Sequence, residues 1–188
     1  MANFTRKVIE GSFLKLLMER PLSRITVKDI VADCGINRNT FYYYFEDIPK
    51  LIEQIVEEGA EEIIQAYPTI ENFEDFLEAV IDRVLAKKPA VLHIYHSASR
   101  DVYELYLWKV CDHVINAYMT AALHGRKIGE EDMLIMKKYL SSLAFGAFSN
   151  WLRSGMTDDI RAILARLSEL KKGMLLEMIA RCEGSDQP

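Results

Sequence analysis

Four consecutive polar residues, Asn37, Arg38, Asn39 and Thr40, stand directly before an unbroken aromatic run from Phe41 to Phe45 that includes Tyr42, Tyr43 and Tyr44. Arginine offers a planar fork of donors that matches guanine edges and phosphate oxygens. Asparagine matches the adenine edge, and threonine and tyrosine hydroxyls reach phosphate. Gathered on one short helix, these groups make a surface for a nucleic-acid duplex by hydrogen bonding, with no bond-breaking chemistry implied. A fully buried helix would not carry them, because each polar group taken out of water needs a partner.

The elements that must position these side chains are legible around them. The stretch TVKDIVADCGINRNTFYYYF, residues 26 to 45, predicts two short helices over 27–34 and 38–44 that turn sharply at Gly35, where positive φ is cheapest for glycine. Thr26 is an N-cap with Asp29 three residues on, a capping-box variant expected to leave a hydroxyl and helix N–H groups free to meet a phosphate. Asn37 caps the second helix. Ile30, Cys34, Ile36, Phe41 and Tyr44 fall where a tight two-helix unit needs buried contacts. This is the layout of a helix-turn-helix, whose second helix enters the major groove by its N-terminal end. The expected DNA-facing set is Thr26, Asn37, Arg38, Asn39, Thr40, Tyr42, Tyr43 and, at the start of the next helix, Lys50.

On these residues the chain resembles the TetR family of transcriptional regulators. Thr26, Ile30, Gly35, Thr40, Phe41, Tyr42, Tyr44 and Phe45 match its reading-head pattern. Thr5 and Arg6 resemble its opening, and Leu51 its connecting helix. Val31, Cys34, Asn37 and Asn39 depart from it, and Ile48 stands where a phosphate-contacting lysine is common. The resemblance implies a double-stranded DNA partner and a C-terminal helical domain that dimerises and senses an effector. The stretches RDVYELYLW and FGAFSNWLRSGM are similar to a branch that includes activators of small-ketose kinase operons. Repression with release by an effector, and activation in response to a partner protein, are therefore both open, as is a helical interaction module without specific DNA binding.

The remainder of the 188 residues predicts an all-α protein of about nine helices, since apolar residues recur at three- and four-residue intervals and strand alternation is absent. The expected domains are a three-helix DNA-binding domain over 1–47 and an effector-binding and dimerisation bundle over 48–188. A first helix over 3–20 would bury Phe4, Val8, Phe13, Leu16 and Leu17 and stop at Pro21. Further helices are expected over 47–66, 71–87, 89–96, 99–123, 130–154 and 158–182. Net charge is −5, yet residues 1–50 hold eight Lys or Arg against six Asp or Glu, so the cationic part is the N-terminal quarter.

No phosphate-cradling glycine loop, catalytic triad pattern or HExxH motif is present, so an enzyme is not expected. Cys34, Cys111 and Cys182 lack metal-site spacing and read as free thiols, and neither metal nor cofactor is implied. The N-terminus carries no signal-peptide pattern and no apolar run is long enough to span a bilayer, which places the chain in the cytoplasm by expectation.

Two features of the C-terminal part concern partners. Leu134, Ile135, Tyr139, Leu143, Ala147 and Trp151, with Gly146, line the helix over 130–154. Ile160, Ile163, Leu164, Leu167, Leu170, Met174, Leu175, Met178 and Ile179 line that over 158–182. The second stripe is broad enough for both an intrachain and an interchain contact. The resemblance implies a homodimer through these last two helices on an imperfectly palindromic operator, the alternative being that both faces are covered within one chain. His93, His96, Tyr103, Tyr106, Trp108, Phe145 and Phe148 form a second cluster, which reads either as the lining of an effector cavity or as ordinary core packing.

Overall fold

In the computed structural model, which describes the backbone of residues 2–97 and 100–184, the helical periodicity is realised as ten α-helices, and no strand occurs among the described residues. They are α1 (Ala2–Glu19), α2 (Val27–Cys34), α3 (Arg38–Tyr44), α4 (Ile48–Ala66), α5 (Phe73–Ala86), α6 (Lys88–Tyr95), α7 (Arg100–Ala122), α8 (Glu130–Arg153), α9 (Ile160–Leu170) and α10 (Met174–Gly184). Short 3₁₀ turns at Leu22–Arg24 and Ile70–Asn72 lead into α2 and α5. No described helix is long and apolar enough to cross a membrane.

One expected helix is divided. The stretch 158–182 forms α9 and α10, because Gly173 adopts φ +80° and closes a turn in which the Met174 N–H donates to the Lys171 carbonyl at 2.9 Å. A left-handed residue cannot continue an α-helix, and glycine takes that conformation without strain.

The chain forms two compact units, residues 1–59 with 84–105 and residues 60–83 with 106–188. The first holds α1, α2, α3, most of α4 and α6. Its core is Ile9, Phe13, Leu17, Ile30, Phe41, Phe45 and Leu51, joined by Ala90 from α6. Phe4, expected in this core, is 75% exposed. At about 100° per residue it falls on the side of α1 opposite Phe13. Ser12 is buried and ties α1 to α2, donating to the Asp33 carboxylate at 2.8 Å and lying 3.2 Å from the Ile30 carbonyl. Lys15 and Ser12 together hold the Asp33 carboxyl below its ordinary range.

The second unit is built on Phe76, Tyr118, Met119, Met136 and Ile179. Phe76 and Tyr118 stack with ring centroids 4.0 Å apart, and the Tyr118 hydroxyl donates to the Thr69 carbonyl at 2.6 Å. Burial pushes that phenol well above its usual range, so it stays a donor. Burial also pushes the Cys111 thiol up to about 12, which keeps it protonated and unreactive.

Candidate nucleic-acid interface

The reading head is assembled by bonds that span only three to five residues. The Asp29 N–H donates to Thr26 Oγ1 at 3.3 Å while the Thr26 N–H donates to Asp29 Oδ2 at 2.9 Å, a complete capping box. The Thr26 hydroxyl also donates to Asp29, at 2.6 Å. These bonds to Thr26, with help from Arg20, hold the Asp29 carboxyl below its ordinary range. Because the box occupies the Thr26 hydroxyl, what remains for a phosphate at this end of α2 is chiefly the orphan N–H groups of its first turn.

Gly35 then takes φ +71°, ψ 26°, with its own N–H and that of Ile36 both donating to the Val31 carbonyl. An added Cβ would meet no atom within 4 Å, so the demand for glycine is conformational. Replacing Gly35 by alanine is therefore expected to destabilise the first unit by about 1–2 kcal/mol, read as a shift in its denaturant midpoint. An unchanged midpoint would refute the left-handed turn.

Asn37 starts α3 by accepting from the Thr40 N–H at 2.8 Å and the Thr40 hydroxyl at 3.0 Å. Both cap partners lie at the N-terminal end of the helix, and the exposed Asn37 amide retains its N–H₂ donors. Phe41 turns fully inward. Arg38 and Asn39 are exposed and have no side-chain hydrogen bond or ion pair among the described residues. Tyr42 is 55% and Tyr43 79% exposed. Their rings are held edge-on, Tyr42 against Phe41 at 5.5 Å and Tyr43 against Tyr44 at 4.9 Å. α3 thus keeps one apolar face in the core and shows guanidinium, amide and phenol groups on the other.

The start of α4 is arranged differently from the family pattern. Ile48 is half-buried and packs against the core of the first unit, which explains why an apolar residue is tolerated there. Lys50 is exposed but paired with Glu53 at 2.6 Å, and Glu53 raises its amine above the ordinary range. Two exposed cations absent from the sequence-based set, Arg24 and Lys28, flank the Thr26 cap and have no ion pair among the described residues. A lysine two positions past an N-cap was the available signal for Lys28.

The aromatic and histidine cluster is spread over both units. His93 is half-buried in the first unit with Nδ1 2.7 Å from the Leu17 carbonyl, and exposed His96 lies edge-on to Tyr95. Tyr106, Trp108, Phe145 and Phe148 belong to the second unit. There Trp108 meets Phe145 at 5.7 Å, and Phe148 meets buried Trp151 at 5.9 Å. The Tyr103 side chain lies outside the described residues. An open groove of about 630 Å³ runs elsewhere, along the α7 face bearing His113, Asn116, Ala117, Thr120, Ala121 and His124.

On the second unit, Leu134, Ile135, Tyr139 and Leu143 of α8, Ile163, Leu167 and Leu170 of α9, and Met174 of α10 are all exposed. Ile135, Tyr139 and Leu143 share one face of α8, as do Ile163, Leu167 and Leu170 on α9.

A head of two short helices joined at a left-handed glycine, carried by an all-helical chain, defines a helix-turn-helix DNA-binding regulator. Residues 14–55 match the family described as bacterial regulatory proteins, tetR family, and residues 71–173 match a transcriptional regulator C-terminal region of that family. The chain belongs to the TetR family of transcriptional regulators. No match was found among curated proteins. Among solved structures, the dihydroxyacetone kinase operon activator DhaS shares the fold, with a TM-score of 0.64 and 16% identity over 95% of this chain and 96% of that one.

Proposed function

We propose that the chain is a homodimeric, sequence-specific operator-binding protein of the cytoplasm that represses transcription and is released by an effector. The observation that carries the DNA-reading part is the outward face of α3, where Arg38 and Asn39 stand exposed beside Tyr42 and Tyr43, with no side-chain hydrogen bond or ion pair among the described residues. Arg38 and Asn39 are read as base contacts. Tyr42, Tyr43, Asn37 and Thr40, the first-turn N–H groups of α2 behind the Thr26 cap, and Lys50, Lys28 and Arg24 are read as contacts to phosphate. The exposed apolar faces of α8 and α9 supply the dimer contact, and twofold symmetry makes the operator an imperfect palindrome.

Repression is the simpler sign, because occupying an operator excludes other proteins by its bulk alone, whereas activation needs an additional favourable contact. The name of DhaS motivates the second reading, an activator whose C-terminal unit answers a partner protein. For the effector, Tyr106, Trp108, Phe145 and Phe148 of the second unit are read as lining residues.

Selection from random duplexes, followed by titration of the selected and a scrambled duplex at two salt concentrations, tests the proposal. Tight, salt-sensitive binding of two protomers to a palindrome is expected. Equal weak binding to both duplexes would sink it. A reporter placed behind the selected operator separates the signs, its output falling for a repressor and rising for an activator. In the same titration Tyr43→Phe is expected to weaken binding to all duplexes alike. Asn39→Ala is expected to relax preference at one base position, by about 1–3 kcal/mol of discrimination. An unchanged preference profile would remove Asn39 from base reading.

A further inference from the structure

The last turn of α1 contains a backbone acceptor without its usual partner. In an α-helix the carbonyl of residue i accepts from the N–H of i+4. For Leu17 that residue is Pro21, which has no N–H. The regular ladder ends one residue earlier, with the Arg20 N–H donating to the Leu16 carbonyl at 3.0 Å. Leu17 is buried, and an unpaired carbonyl away from water is unfavourable. The missing donor comes from α6: Nδ1 of His93 lies 2.7 Å from the Leu17 oxygen. A carbonyl only accepts, so this nitrogen carries the proton.

Around that bond α6 is built into the DNA-reading unit. Ala90 is buried in the same core as Phe13 and Phe41, and Ile94 packs against it. α6 nonetheless lies within residues 71–173, which match the transcriptional regulator C-terminal region. The atom it grips sits just before the segment that leads through Pro21, the turn Leu22–Arg24 and buried Ile25 into the Thr26 cap of α2.

We propose that His93 is a positioning residue that couples α6 to the reading head: its Nδ1–H bond to the Leu17 carbonyl sets the pose of the α1 end, and with it that of α2 and α3. The inference rests on the DNA-binding reading above and assigns His93 to transmission between α6 and the head. Coupling of this kind is reciprocal. Operator binding must therefore change how readily α6 opens, with no effector present.

Hydrogen exchange of the full chain, followed over residues 88–97 with and without the selected duplex, tests this. Wild type is expected to change exchange in α6 by on the order of threefold or more when operator binds, the size of one net hydrogen bond. His93→Leu is expected to lose that response. His93→Asn, whose amide places an N–H near the position of Nδ1, is expected to keep it, whereas a merely structural role would leave the response present in both. Operator binding by wild type without any change in α6, or a full response in folded His93→Leu, would overturn the inference while leaving the DNA-binding reading intact. Absence of operator binding by wild type would overturn both. Should the leucine variant fail to fold, His93→Gln, whose amide falls nearer the position of Nε2 than of Nδ1, stands in for it: loss of the response is expected, and a full response there would overturn the inference.

Discussion

A chain carrying Ile163→Asp and Leu167→Asp is expected to sediment as a monomer and to bind the full palindrome about 100-fold or more weakly, with the affinity of a single half-site. Both residues are exposed in the protomer, with Ile163 at 50%, and they lie one helical turn apart beside Leu170 at 66%. Single exposed apolar residues are ordinary, but apolar residues repeated at helical spacing on α8 and again on α9 mark a contact surface. Two carboxylates placed in such a contact lose water without gaining partners. The loss of affinity follows from linkage: with two heads joined, the second binds at an effective concentration that raises overall affinity by about 10²–10⁴. Because neither side chain belongs to a described core cluster, the helices themselves are expected to remain folded by circular dichroism. Retention of the dimer in the double variant would exclude α9 from the interface, and a monomeric wild type would exclude the interface altogether.

The second large effect concerns stability. Phe41→Ala is expected to destabilise the first unit by about 3–5 kcal/mol, a substantial share of the roughly 5–15 kcal/mol that holds a typical domain together. Phe41 is 0% exposed on the inward side of α3 and meets Phe45 at 5.7 Å. Removing its ring leaves a cavity under the helix that carries Arg38 and Asn39, so DNA binding is expected to fail along with stability. Phe41→Leu, which keeps most of the volume, is expected to retain both in larger part. Denaturant unfolding beside operator titration measures the two together. A loss below about 1 kcal/mol for Phe41→Ala would show that the core beneath α3 collapses to fill the space.

These two sites illustrate different degrees of legibility. The burial of Phe41 followed from its place in the helix-turn-helix spacing, and the structure agrees. For the C-terminal stripes, periodicity showed that the helices were apolar but not which side was covered within one chain. Trp151 and Ile179 went inward while Ile135 and Leu167 stayed out, a division set by which neighbours pack against each helix. Phe4 shows the same limit in the other direction. It is apolar and helical yet outward, because the covered side of α1 is the one bearing Ile9, Phe13 and Leu17.

By itself the sequence determined the helix-turn-helix: the Thr26–Asp29 box, the left-handed Gly35 and the Asn37–Thr40 cap all close within four residues. Bonds that short are dictated by helix geometry, so residue type and spacing suffice to read them. Tertiary structure alone decided that Ile48 turns into the core and that His93 reaches the Leu17 carbonyl across 76 residues of chain. It also joined Arg6 and Lys7 to Glu58, more than fifty residues away. Such contacts depend on how whole helices pack, which periodicity constrains only to a face. The vacancy at Leu17 was written in the sequence by Pro21, but the residue that fills it became visible only when α6 was placed against α1.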